Sequence, residues 1–128
     1  MGDFAGGLLK YLRHHPLPRL TIAGGFGKMA KLAQGNLDLH SGRSQVDQAW
    51  LADRLAELGA ENATIAKVRE AHSALETLAL AQQSALPLAD LVAARARTSA
   101  LAVLADAPVA VEVMIFDREG ALIGRSEG

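Results

Sequence analysis

The scarcity of β-strands is the strongest constraint that this sequence places on its fold. The clearest strand is the apolar run from Val109 to Phe116, which follows Pro108. A turn at residues 117–120 then leads into a short antiparallel strand at 121–124, and residues 19–23 form a short buried strand. A stable sheet usually has three or more strands. The sequence therefore predicts a small mixed sheet that is completed by chain outside these residues.

Most of the remaining chain shows the period of amphipathic helices. Asp3 is placed to cap the first helix, Pro16 to stop it, and Gly35 and Gly59 to end two later ones. The later helices are predicted at 28–33, 45–58, within 62–83 with a break near 72–73, and from Pro87 to about 105. We predict one helix-rich, Rossmann-like α/β domain over residues 1–128.

The composition excludes several classes of protein. Aromatic residues are only 4% of a chain that is 50% hydrophobic, so Ala, Leu, Val and Ile must form the core. The 13 Lys and Arg residues are spread along a chain of net charge −1, which does not favour nucleic-acid binding. The absence of Cys excludes disulfides and thiolate chemistry. Neither a secretory signal nor an apolar run of ~18 residues is present, so we expect a cytoplasmic domain with no membrane partner.

A glycine segment, residues 24–27, joins the first strand to the helix at 28–33. Gly24, Gly25 and Gly27 would let the backbone approach a ligand, and Lys28 adds a positive charge beside the helix N-terminus. The segment is not a Walker A loop, because Met29 stands where that loop has Ser or Thr. Glycines also serve ordinary tight turns, so a ligand site and a structural turn both fit this pattern.

The segment after Gly35 is the second candidate site. It has no apolar period and contains a carboxylate, an imidazole, two hydroxyls and a guanidinium, at Asp38, His40, Ser41, Ser44 and Arg43. Loops on an α/β scaffold often carry functional residues, and His40 titrates near neutral pH. These side chains would equally serve as helix caps and turn residues. No metal site is predicted, because the neighbouring His14 and His15 diverge on a helix.

Several motifs in this order resemble a known family. Gly2-Asp3-Phe4, then Gly24-x-x-Gly27-Lys28-Met29-x-Lys31-Leu32-Ala33-x-Gly35, then His40-Ser41, resemble the C-terminal part of CbiD-type cobalt-precorrin-5B C1-methyltransferases. The closing Phe116-Asp117-Arg118-Glu119-Gly120 is similar as well. Two positions depart from the family pattern, which commonly has His at Gly25 and Thr at Leu39.

The resemblance implies methyl transfer from S-adenosylmethionine to C1 of a cobalt-bearing tetrapyrrole, in the oxygen-independent route to cobalamin. It implies two partners, the tetrapyrrole substrate and the N-terminal part of the same enzyme, without which the small sheet is expected to be incomplete, and it leaves a homo-oligomer open. The residues that match the family's motifs are Gly24, Gly27, Lys28, Lys31, Gly35, His40 and Ser41. Together with Gly25, Asp38 and Arg43 from the two candidate segments, they give the predicted site: Gly24, Gly25, Gly27 and Lys28 for the cofactor, His40 and Asp38 for catalysis, and Lys31, Ser41 and Arg43 for the substrate.

Two other functions stay open at this point. The first is a noncatalytic α/β module that binds an anionic ligand or mediates subunit assembly. The second is a dinucleotide-dependent oxidoreductase, which expects an acidic residue at the end of a second strand ~20 residues past the glycines. Asp47 is the acidic residue near that distance and falls in a predicted helix, which disfavours the oxidoreductase.

Overall fold

The computed structural model describes residues 4–35, 47–105 and 107–127. These ranges contain six helices and three strands, which confirms the predicted helix-rich α/β class with a small mixed sheet. In chain order the elements are α1 Phe4–His14, β1 Arg19–Gly25, α2 Phe26–Ala33, α3 Gln48–Glu57, α4 Asn62–Glu70, α5 Ala74–Gln83, α6 Leu88–Leu104, β2 Ala110–Phe116 and β3 Leu122–Glu127. A Rossmann-like arrangement is not confirmed by three strands. None of the described helices is long and apolar enough to span a membrane.

The sheet has the order β1-β2-β3, with β2 in the middle. β1 is parallel to β2, in a register that runs from Arg19 opposite Ala110 to Gly25 opposite Phe116. β3 is antiparallel to β2, with an irregularity next to Ile115. Because β1 and β2 are parallel, their carboxyl ends lie side by side at one edge of the sheet, where β1 leads directly into α2.

Helices cover one face of the sheet. Val111, Val113 and Ile115 point from β2 into the core, where α2 and α6 pack against each other and against the strands. Alternate residues point the other way, and no helix of the described ranges packs on that side. We call this side the open face; it comprises Arg19, Thr21, Ala23, Gly25, Ala110, Glu112, Met114, Phe116, Leu122, Arg125 and Glu127.

The prediction that β1 is a buried strand was wrong. Its residues alternate between exposed and half-buried. Two features explain this pattern: β1 lies at the edge of the three-stranded sheet, and only one of its faces meets the helices. β1 is also two residues longer than predicted, because Gly24 and Gly25 continue its pairing with β2.

Several helix ends agree with the sequence signals and two do not. Gly35 and Gly59, with φ of +90° and +85°, follow α2 and α3 as predicted. Asp47, not residue 45, marks the start of α3, because its side chain accepts a 2.9 Å hydrogen bond from the Ala49 amide. α2 begins at Phe26, two residues before the prediction, since the buried Phe26 ring belongs to the core. The cap predicted at Asp3 lies outside the described residues.

β3 lies directly on the first turn of α6. A Cβ placed on Gly124 would be 2.6 Å from the carbonyl carbon of Ala89 and 2.8 Å from its Cβ, so only glycine fits here. The next residue, Arg125, donates its backbone N–H to the Asp90 carboxylate at 3.0 Å. This contact fixes the position of β3 relative to the helical layer.

One buried polar side chain links α5 to α3. Thr77 is fully buried, and its hydroxyl lies 2.7 Å from Oε1 of Gln48 and 3.3 Å from the Ser73 carbonyl. Ser73 also caps α5 by accepting the Glu76 amide at 3.1 Å. The predicted break between two short helices near residues 72–73 is therefore confirmed.

Candidate functional site

A cleft lies at the carboxyl ends of the two parallel strands. Its volume is about 680 Å³, within the range of ~300–1,000 Å³ that is usual for small-molecule sites. In open α/β sheets, ligands bind outside the carboxyl ends of the strands. The residues that line the cleft are Gly24, Gly25, Phe26, Gly27, Lys28, Leu75, Leu78, Phe116, Asp117, Arg118, Glu119 and Ile123.

The glycine segment forms one side of the cleft without needing glycine for its backbone conformation. Gly24, Gly25 and Gly27 all lack a positive φ. A Cβ on Gly25 or Gly27 would meet nothing within 4 Å, whereas one on Gly24 would lie 3.2 Å from Cε of Met29. The two open positions therefore do not serve a tight turn. Their lack of a side chain leaves space beside the cleft, as a closely approaching ligand requires.

The N-terminus of α2 opens into the same cleft. Gly25 is the N-cap and supplies no side chain, and the first turn of the helix contains no acidic residue. The first amide groups of a helix have no partner within the helix and carry a partial positive charge. Lys28, which is exposed on the first turn, adds a full positive charge. This end of the cleft is suited to a carboxylate or a hydroxyl group.

The other side of the cleft is formed by the end of β2 together with α5 and β3. Phe116 of β2 provides an aromatic surface, and Leu75 and Leu78 of α5 and Ile123 of β3 add apolar surface. The Asp117 carboxylate serves the turn, because one of its oxygens accepts the amides of Glu119 at 3.0 Å and Ala121 at 2.8 Å. The cleft thus combines an apolar side with a polar, positively charged side.

The structure brings together four of the residues predicted for the site. Gly24, Gly25, Gly27 and Lys28 line the cleft, whereas Lys31 is half-buried in the last turn of α2 and is not among the lining residues. The other predicted residues, Asp38, His40, Ser41 and Arg43, lie outside the described residues. The two sides of that segment are joined, since the Asp47 amide donates to Oε1 of Gln34 at 2.9 Å.

Sequence reasoning missed the second side of the cleft. It identified residues 116–120 as the end of a strand and a turn, but not as neighbours of the glycine segment. What brings them together is the parallel pairing of β1 with β2, which places Phe116 opposite Gly25 and has no local signal in the sequence. Leu75 and Leu78 of α5 carry no local signal, because they reach the cleft only through helix packing.

A second cavity, at the amino ends of the strands, is less suited to a ligand. It measures about 390 Å³, and its lining includes Arg19, Arg97 and Glu112. Two of its polar side chains already have partners: Arg97 donates to the Val111 carbonyl at 2.8 Å, and Glu112 accepts from Nε of Arg125 at 2.7 Å. The hydrogen bond from Arg125 is the main cause that lowers the pKa of Glu112.

An α/β domain with a cleft beside a glycine-rich strand end is the class that the geometry defines. Comparison with known families identifies the family of this domain: the profile described as "CbiD, C-terminal domain" matches residues 38–127. The chain belongs to the CbiD family. The match begins after β1 and α2, although β1 is part of the same sheet as β2.

Three relatives are named cobalt-precorrin-5B C(1)-methyltransferase. The protein from Rhodospirillum rubrum is 59% identical over 124 residues, which are 97% of this chain and 35% of the relative. The protein from Paramagnetospirillum magneticum is 55% identical over 97% of this chain and 34% of its own length. The Bradyrhizobium protein is 50% identical over the whole chain and 34% of its own length. The chain thus spans about a third of the length of these curated relatives. No solved structure matches it.

Proposed function

We propose that this chain is the C-terminal part of an enzyme that transfers a methyl group from S-adenosylmethionine to C1 of cobalt-precorrin-5B, in anaerobic cobalamin biosynthesis. The names of relatives that are 50–59% identical support the reaction. The observation that supports a role for this domain is the cleft, in which uncrowded glycines and a helix N-terminus meet at the carboxyl ends of parallel strands. We assign the methyl donor to this cleft.

The residues of the cleft fit such a ligand. Gly25 and Gly27 leave room for it to approach the backbone, because no atom lies within 4 Å of a Cβ at either position. The amides of α2 and the ammonium group of Lys28 are suited to a carboxylate, and Phe116 offers a flat apolar surface to a heterocycle.

Orientation is the main contribution that the protein must make to this reaction. S-adenosylmethionine supplies a methyl group that is already activated on a sulfonium, so the acceptor carbon has to be held in line with it. We propose that Asp38 and His40 act at the ring carbon or on its proton, and that Lys31, Ser41 and Arg43 bind the carboxylate-rich rim of the tetrapyrrole. The hydrogen bond between Gln34 and Asp47 holds the two sides of this segment near the end of α2.

Calorimetric titration of the 128-residue chain with S-adenosylhomocysteine tests the cofactor assignment. We expect saturable one-site binding, and at least about tenfold weaker binding for Gly25→Ala, because the added methyl group occupies the space of the ligand. Lys28→Ala should weaken binding by up to about tenfold, as expected for loss of one charged hydrogen bond. The matched control is Lys67→Ala on α4, since Lys67 is also exposed and does not line the cleft.

Two outcomes would contradict the assignment. If the chain does not bind S-adenosylhomocysteine, the cleft alone is not the cofactor site. If Gly25→Ala and Lys28→Ala bind as tightly as Lys67→Ala, the ligand occupies another surface. Thermal melting of each variant separates loss of binding from loss of folding, and the open space around Gly25 predicts that Gly25→Ala folds normally.

A further inference from the structure

The open face of the sheet carries a continuous apolar area. Ala23 pairs with Met114, and Phe116 pairs with both Gly25 and Leu122, so these side chains are neighbours across three strands. Leu122 is 46% exposed, although it sits in a sheet whose other face is well buried. The area begins at the cleft, since Phe116 and Gly25 belong to both. An exposed apolar area of this kind is typical of a surface that packs against another element.

Parallel pairing makes an uncovered face unusual. Parallel strands are joined by long crossover connections, and sheets of parallel strands occur almost only with both faces covered. Here the connection from β1 to β2 contains α2 to α6, and the helices of the described ranges that touch the sheet lie on one side. The parallel pair of β1 and β2 follows this rule only if a second layer covers the open face, whereas the antiparallel pair of β2 and β3 can face water on one side.

The relatives indicate what the second layer is. They are about three times as long as this chain, and the profile that matches is that of the C-terminal domain. The remaining two thirds of such a protein therefore precede this domain. We propose that the open face is the surface on which the preceding part of the CbiD polypeptide packs. This inference rests on family membership and not on the proposed methyl transfer.

The chemistry of the open face also describes the surface that would cover it. Toward the carboxyl ends of β1 and β2 it offers Met114, Phe116 and Leu122, which call for an apolar partner. Toward the amino ends, Arg125 lies within hydrogen-bond distance of Glu112 and Glu127, at 2.7 and 2.9 Å. The exposed Arg19, on the same face at the start of β1, adds a second positive charge. The two arginines balance the two carboxylates, so the covering element needs no net charge there. It needs an apolar strip that ends near the cleft.

The rate of thiol labelling tests this surface, because the chain contains no cysteine. Leu122→Cys and Met114→Cys place a thiol on the open face. Leu17→Cys is the matched control, since Leu17 is 51% exposed and precedes β1, at the other end of the strands. Each variant is prepared twice: as the 128-residue chain, and as a full-length protein in which this chain replaces the matching part of the Rhodospirillum rubrum relative.

We expect Leu122→Cys and Met114→Cys to react with a maleimide at least about tenfold more slowly in the full-length protein than in the 128-residue chain. Leu17→Cys should react at similar rates in both. Peptide mapping by mass spectrometry assigns the label to each position. No cofactor is needed, so the result is independent of whether the cleft binds S-adenosylmethionine.

Two results would overturn the proposal. One is equal labelling of Leu122→Cys in the two proteins. The other is protection that appears in the 128-residue chain as its concentration rises, because a second copy of the chain would then cover the open face. Circular dichroism of each variant shows whether the sheet and helices are intact before labelling is compared.

Discussion

Replacing Gly124 with alanine tests the closest contact between the sheet and the helices. The added methyl group would lie 2.6 Å from the Ala89 carbonyl carbon and 2.7 Å from its oxygen, whereas ordinary contact begins at 3.4 Å. Strand and helix must therefore separate by about 0.8 Å, the difference between 3.4 and 2.6 Å. Both opposing atoms belong to the backbone, so no side chain can rotate away.

The free-energy cost of this separation determines how far the melting temperature falls. Overpacking typically costs ~1–3 kcal/mol, and a clash with backbone atoms belongs at the upper end, about 2–3 kcal/mol. Unfolding entropy is about 2.1 cal/mol/K per residue, which for 128 residues gives ~0.27 kcal/mol/K. Each kcal/mol then shifts Tm by about 4 °C. We expect Gly124→Ala to melt about 8–12 °C below the unsubstituted chain.

Differential scanning calorimetry of the 128-residue chain measures this shift. The matched control is Gly25→Ala, the same substitution in a strand of the same sheet, where a Cβ meets nothing within 4 Å. Alanine reduces the freedom of the unfolded chain but is a poorer N-cap for α2 than glycine, and these two effects oppose each other. Gly25→Ala should therefore melt within a few degrees of the unsubstituted chain. A Tm for Gly124→Ala within about 3 °C of the unsubstituted chain would refute the close packing of β3 on α6.

Two further predictions concern polar contacts. Thr77→Val should lower the free energy of unfolding, measured in urea, by about 1–2 kcal/mol, because Gln48 loses a buried partner. Thr98→Val, at an exposed site on α6, is the control and should change this free energy little. Equal effects of the two substitutions would contradict the link between α5 and α3. The pKa of Glu112 is lowered below 4.5, mainly by the hydrogen bond from Arg125. Its ionised form therefore stabilises the fold above the unfolded pKa, and this contribution is lost as the pH falls through the lowered folded pKa. Urea titrations of the chain and of Glu112→Gln from pH 7 to pH 3 should show a stability difference that vanishes in acid; a constant difference would show that ionised Glu112 is not responsible.

Local signals predicted the helices well. The gap between α4 and α5 was predictable because Ser73 is a good N-cap, and its hydroxyl does accept the Glu76 amide. The start of α2 was not predictable, since the glycines at 24, 25 and 27 disfavour a helix by propensity. The helix nevertheless begins at Phe26, whose ring is buried in the core. Propensity describes a residue in isolation, and the core overrides it.

The long-range arrangement was beyond what the sequence could indicate. Five helices of the described ranges separate β1 from β2, and nothing in the residues of β1 specifies parallel pairing with β2. The same pairing brings Phe116 beside Gly25, so the second side of the cleft was missed together with it. The glycine segment and Lys28 were predictable because their chemistry is local, at the junction of a strand with a helix.

The position of β1 has a consequence for how such proteins can recombine. β1 and α2 lie before residue 38, where the family profile begins, yet α2 contributes Phe26, Met29 and Leu32 to the core and β1 forms one edge of the sheet. An exchange between homologous genes at that boundary would join a strand and a helix from one parent to a sheet from the other. Their side chains have to fit, so crossovers that keep both in one inherited block should yield stable progeny more often.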